Sequence, residues 1–92
     1  MTLAEFFTDE RRWLRGRLSE HIQDGTNPKT LHAACILGAK IEIYGMVPAI
    51  AAPKGYSSWT VWNDAPHRTF AEVQEAAAML DARINEMKRG RP

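Results

Sequence analysis

The sequence predicts an all-α protein, a compact bundle of three main helices with one or two short helices. Apolar residues between residues 70 and 87 recur at alternating steps of three and four, the spacing of one helical face. Residues 33–39 are apolar throughout, which is typical of a helix buried on all sides. A chain of 92 residues with 45% hydrophobic and 25% charged residues suits a single domain over residues 1–92.

The first main helix is predicted over residues 2–24. Thr2 and Glu5 have the spacing of a capping box, in which each side chain binds the other residue's backbone N–H. Residues 8–10 offer a second N-cap, and Gly16 weakens the helix interior by up to about 1 kcal/mol. The apolar residues of one face follow at steps of four and seven: Leu3, Phe7, Leu14, Leu18 and Ile22.

The second main helix is predicted over residues 28–44 as the buried centre of the bundle. Asn27 is a good N-cap, and Pro28 suits the first helical position, where its missing N–H is harmless. Gly45 ends the helix. A strand over residues 41–44, where apolar and polar residues alternate, is the alternative for that stretch.

Two further helices complete the prediction. Ser57 caps a short helix over residues 57–63 that carries Trp59 and Trp62 and ends before Pro66. Thr69 and Glu72 form another capping box, which begins the C-terminal helix over residues 69–89.

Charge and composition narrow the class of protein. The formal net charge of +1 argues against a strongly basic nucleic-acid binder, although it allows a local basic patch. A single cysteine, Cys35, forms no internal disulfide, which fits a reducing compartment. We expect no signal peptide, and the longest apolar runs, residues 33–39 and 46–52, are too short to span a membrane. The sequence therefore predicts a cytoplasmic protein.

The stretch from residue 62 to residue 69 joins the Trp helix to the C-terminal helix and is dense in functional groups. Its side chains suit a small polar site for a phosphate, a nucleotide or a carbonyl group, and they equally suit caps and turns between two helix ends. The structural interpretation is preferred, because short polar residues between helices are mostly caps and turns. The candidate binding residues are Trp62, Asn63, Asp64, His67 and Arg68.

The same stretch, Trp-Asn-Asp-Ala-Pro-His-Arg-Thr over residues 62–69, resembles the C-terminal signature of a family of small bacterial and phage proteins known only as a domain of unknown function. Residues 35–39, Cys-Ile-Leu-Gly-Ala, resemble a second element of that family. Together the two elements cover under half of the chain. The resemblance implies a bacterial or phage accessory protein and carries no catalytic or binding residue with it.

Cys35 and the histidines are the other candidates for chemistry. His32 precedes Cys35 by about one helical turn, but a cysteine in an apolar run behaves as a small hydrophobic residue, so we expect Cys35 to be buried and inert. His21, His32 and His67 lie on separate predicted elements, whereas zinc needs three or four converging ligands. No catalytic residue, metal or cofactor is predicted.

Arg11, Arg12 and Arg15 cluster on the predicted first helix around Trp13. Such arginines could contact phosphates while the indole stacks on a base. A solvated face, or pairing with Asp64, Glu75 or Asp81, is the preferred interpretation, since the domain lacks a basic excess.

The leading functional hypothesis is a non-enzymatic accessory or regulatory protein-interaction module, phage-encoded and host-modulating in its most specific form. Three tryptophans support it, because exposed aromatic residues often anchor interfaces. A small nucleic-acid-binding domain that uses the arginine-rich first helix is the second hypothesis. A ligand or enzyme site at Asp64, His67 and Arg68 is the third. An unidentified protein is the expected partner, with nucleic acid or a second copy of the chain as alternatives and no membrane.

Overall fold

The fold combines helices with a small sheet, so the all-α prediction is wrong. A computed structural model describes residues 1–23, 30–45 and 49–89. In these ranges the chain forms four α-helices and a two-stranded antiparallel sheet. The elements in chain order are α1 (Leu3–Phe6), a 3-10 turn (Glu10–Arg12), β1 (Ser19–Gln23), β2 (Thr30–Ala34), α2 (Ile36–Tyr44), α3 (Trp59–Asp64) and α4 (Phe70–Arg89).

The first predicted helix is wrong beyond its first turn. Thr2 and Glu5 do form the capping box, but α1 ends at Phe6. Asp9 then caps the 3-10 turn by accepting the N–H of Arg11, and Gly16 adopts a left-handed φ of 77° that a helix interior does not allow. Residues 19–23 are a strand because they pair with β2, which supplies hydrogen-bond partners at alternate positions. The predicted helix end at residue 24 lies outside the described residues.

The central helix is shorter than predicted, because its first half belongs to β2. Strand β1 pairs with β2 so that Glu20 faces Ala33. Cys35 is the N-cap of α2, and its Sγ accepts the N–H of Gly38 at 3.4 Å. Residues 41–44 are helical rather than a strand, and Gly45 ends the helix as predicted, at a φ of 68°. The predicted N-cap and first residue of this helix, Asn27 and Pro28, lie outside the described residues.

The last two helices agree with their predicted positions within two residues at each end. Helix α3 begins at Trp59, and its N-cap is Ser58 rather than Ser57, with the Ser58 hydroxyl accepting the N–H of Val61 at 3.2 Å. Helix α4 has the predicted capping box, in which Thr69 Oγ1 accepts the N–H of Glu72 at 3.2 Å. Among the described residues, none of the helices combines the length and apolarity needed to cross a membrane.

The core lies between α1, α2, α3, α4 and β2. Helix α2 also packs closely on the chain just before β1, since a Cβ atom on Gly38 would lie 1.9 Å from the backbone oxygen of Leu18. This contact places the beginning of the hairpin directly against α2. Buried apolar residues come from all four helices and from β2, and they include Leu3, Phe6, Ala34, Ile36, Ala39, Trp59, Trp62, Val73, Ala77 and Leu80.

Candidate functional site

Asn63 is the centre of the predicted polar site, and its side chain is fully buried. Its Oδ1 accepts the indole N–H of Trp13 at 2.8 Å and the backbone N–H of Ile36 at 3.1 Å. Its Nδ2 donates to the Leu14 carbonyl at 2.8 Å and to Asp64 at 2.9 Å. An amide has two donor hydrogens and two acceptor lone pairs, so the hydrogen-bonding capacity of Asn63 is filled within the chain.

Asp64 connects the C-terminal end of α3 to the loop before the hairpin. Its Oδ1 accepts the backbone N–H of Gly16 at 3.0 Å as well as the Asn63 amide. The loop turns at Gly16, where the left-handed φ leaves that N–H without a helical partner. Asp64 and Asn63 therefore hold residues 13–16 against the C-terminal end of α3.

Arg68 has a buried side chain that binds back onto α3. Its Nε donates to the Trp62 carbonyl at 2.9 Å, and its Nη1 lies 3.1 Å from Glu72 Oε2. The guanidinium carbon lies 4.0 Å from the centroid of the Trp62 ring and 5.3 Å from that of Tyr56. Arg68 Nη2 is buried and has no hydrogen-bond partner among the described residues. Two aromatic faces compensate part of that cost through cation–π attraction.

His67 is exposed and lies apart from Asn63 and Asp64. Its Nε2 is 3.2 Å from the hydroxyl of Tyr56. The neighbouring capping box affects Glu72, where hydrogen bonds from the backbone and hydroxyl of Thr69, followed by the positive charge of Arg68, hold the pKa of the carboxyl below its ordinary value. The five predicted residues thus form two arrangements: Asn63 with Asp64, and Arg68 with Trp62 and Tyr56, where Tyr56 also contacts His67.

The three arginines do not share a helical face, because the helix that would carry them ends at Phe6. Arg11 forms an ion pair with Asp9 at 2.7 Å. Arg12 lies 5.1 Å from the centroid of the Phe6 ring. Arg15 lies 4.7 Å from that of Trp13 and donates to the carbonyl of Arg68. In the described contacts, Arg15 forms no ion pair with Asp64, Glu75 or Asp81, the partners that the sequence suggested.

Cys35 and His32 do not form a nucleophile and base. Cys35 is buried, and its sulfur accepts the Gly38 N–H at the start of α2. His32 lies on β2, where its Nε2 is 2.9 Å from Glu42 Oε2. His67 lies on the loop after α3, and the side chain of His21 lies outside the described part of the chain. No group of three or more histidine, cysteine or acidic side chains is placed to hold a metal among the described residues.

Asp81, which the sequence suggested only as a possible partner of the arginines, is a buried polar residue with a different role. Its two oxygens accept the backbone N–H groups of Leu3 at 2.8 Å and Ala4 at 2.9 Å, and Tyr44 donates its hydroxyl to Oδ1 at 2.6 Å. Burial, together with the hydrogen bond and negative charge of Asp81, raises the pKa of Tyr44 to about 12. The sequence held one signal of this burial, because Asp81 follows Ala77 by four residues and so lies beside the apolar face of α4.

Comparison of the chain with known protein families, with curated proteins and with solved structures gave no match. The resemblance over residues 35–39 and 62–69 therefore rests on those residues alone. Within that resemblance the structure gives the polar residues internal partners.

Proposed function

We propose that the chain is a non-enzymatic protein-interaction module that binds an extended segment of a partner protein along the edge of β1 that faces away from β2. In its more specific form the proposal includes an accessory or regulatory role in a bacterial or phage setting. The observation that carries it is an edge of β1 that pairs with no other strand among the described residues and has the exposed side chain of Leu18 beside its first residue.

The edge follows from the hydrogen-bonding pattern of the hairpin. Leu18 faces Cys35, and the Leu18 carbonyl accepts the Cys35 N–H at 3.1 Å. In an antiparallel pair such bonded positions alternate with positions whose backbone groups point away from the partner strand. Ser19, His21 and Gln23 therefore direct their N–H and carbonyl groups away from β2. Within residues 1–23, 30–45 and 49–89, no further strand pairs with that edge.

Apolar side chains lie next to the edge. Leu18 is 53% exposed, and its backbone rests on Gly38 of α2. Ile41 follows Gly38 by three residues, so it shares that side of the helix, and it is 46% exposed. An added strand gains main-chain hydrogen bonds from an open edge, while nearby side-chain surfaces provide specificity. Trp59 and Trp62 are buried, so the proposed interface uses these aliphatic residues instead of the tryptophans.

The polar residues at the end of α3 support a non-enzymatic role. The side chains of Asn63 and Asp64 form hydrogen bonds with residues 13–16 and with Ile36. Asp64 forms no described contact with His67 or Arg68. An acid–base site needs such groups within reach of one another and of a substrate. The proposal includes a cytoplasmic location, which the buried free thiol of Cys35 supports.

Affinity capture with edge variants tests the proposal. The immobilised chain is exposed to bacterial extract, the retained polypeptide is purified, and its binding to each variant is titrated. Ser19→Pro removes an N–H that points away from β2, so it blocks the outer edge without breaking the hairpin's own ladder. Leu18→Glu places a charge on the apolar surface. We expect each change to weaken binding at least about tenfold.

Val61→Glu is the matched control, because Val61 is 49% exposed on α3, and its binding should equal that of wild type. Equal binding by all variants would contradict the proposed edge. Retention that nuclease abolishes, and that falls steeply with salt, would instead support nucleic-acid binding through Arg11, Arg12 and Arg15. Dimerisation that Ser19→Pro prevents would identify a second copy of the chain as the occupant.

A further inference from the structure

Lys40 of α2 is a buried cation without a described counterion. The residue is only 7% exposed, and no described residue forms a hydrogen bond or an ion pair with its ammonium group. In the described part of the chain, Arg68 Nη2 is the one side-chain nitrogen or oxygen that is fully buried and has no partner. The Lys40 ammonium also has no described partner, so it is not fully buried and retains some surface accessible to water. Because most of the residue is removed from water, an opposite charge beside its ammonium group would be favourable.

A cavity of about 460 Å³ lies beside Lys40. Its lining is mostly apolar and includes Leu37, Ile50 and Trp59, and the hydroxyl-bearing residues Ser57 and Ser58 also line it. Ser57 is exposed, so the cavity reaches the surface there. The Ser58 oxygen accepts the Val61 N–H, which leaves its hydroxyl hydrogen available to a further acceptor.

We propose that this cavity binds a carboxylate carried on a compact apolar group, with the Lys40 ammonium as its counterion. A single ammonium matches one negative charge, and serine hydroxyls are suitable donors to a carboxylate oxygen. Predominantly apolar walls with a few polar groups are typical of small-molecule sites. A phosphate dianion is a poorer match, since it requires several converging donors. The proposal is independent of the β1 edge.

The test compares phenylacetate with its neutral analogue phenylacetamide. The indole N–H of Trp59, which donates to the Ile50 carbonyl at 2.9 Å between two cavity walls, is the NMR reporter. Wild-type protein should bind phenylacetate about tenfold or more tightly than phenylacetamide. Lys40→Met keeps the apolar stem and should abolish that preference. Lys54→Met, at an exposed lysine, should retain it.

A second measurement uses the wild-type protein alone. Reductive methylation of Lys40 should slow in the presence of phenylacetate and be unaffected by phenylacetamide, so the proposal is tested even if Lys40→Met fails to fold. A peptide with a free C-terminal leucine identifies the source of the carboxylate. Binding tighter than that of phenylacetate, and lost on amidation of the peptide, indicates a polypeptide C-terminus, whereas weaker binding indicates a free acid.

Three results would overturn the proposal. The first is equal affinity for the acid and the amide. The second is an unchanged preference in folded Lys40→Met. The third is inorganic phosphate that displaces phenylacetate at a similar concentration, which would assign the cavity to another anion.

Discussion

The indole N–H of Trp13 donates to Oδ1 of Asn63 at 2.8 Å, although the two residues are 50 positions apart. This bond attaches the loop before the hairpin to the end of α3. The same oxygen receives the first N–H of α2, so a single amide joins three segments of the chain. The stretch that resembles a family signature therefore includes the residue around which these segments assemble.

We expect Asn63→Ala to lower the free energy of unfolding by about 2 kcal/mol or more, because it leaves the buried Ile36 N–H and the part-buried Trp13 indole and Leu14 carbonyl without partners. An unpaired buried group costs about 1–3 kcal/mol, and a part-buried one costs less because water can reach it. Denaturant unfolding measures the change. Val61→Ala, at an exposed position on the same helix, should cost less than about 1 kcal/mol. A similar small loss in Asn63→Ala would show that the network contributes little.

Tyr44 should titrate well above an ordinary tyrosine. Because burial, followed by the hydrogen bond and charge of Asp81, raises its pKa to about 12 in the folded protein, against 10.0 ordinarily, the folded state holds the phenolic proton after the unfolded state has lost it. Stability from this group is therefore complete below pH about 10 and declines as the pH rises toward about 12. Phenolate absorbance should show a late transition that Tyr44→Phe removes. If the late transition persists in Tyr44→Phe, it does not come from Tyr44.

Gly38→Ala should destabilise the protein although alanine favours helices by about 1 kcal/mol. The new Cβ would meet the Leu18 backbone oxygen at 1.9 Å, so the backbone must move, and overpacking of this kind costs about 1–3 kcal/mol. Gly45→Ala is the control, since its Cβ meets no atom within 4 Å and it carries only the strain of a positive φ. NMR shifts near residue 18 should change in Gly38→Ala alone. A more stable Gly38→Ala would contradict this close contact.

Helices α3 and α4 were predictable because their signals are local. The apolar spacing from Phe70 to Ile84 and the Thr69–Glu72 capping box need no distant partner. Both helices lie within two residues of their predicted positions. The left-handed end of α2 at Gly45 follows equally from the freedom of glycine at positive φ.

The hairpin depended on contacts between distant residues. Leu14, Leu18 and Ile22 have helical spacing, yet β1 forms because β2 satisfies its backbone groups and Gly38 admits the chain against α2. Asp9 caps the 3-10 turn through a local hydrogen bond, whereas the turn at Gly16 is held across the fold by Asp64, which accepts its N–H. Local sequence thus accounts for the helices that carry their own caps and apolar stripe. Strand pairing, the burial of Lys40 and Asp81 and the role of Asn63 arise only when separate segments pack together.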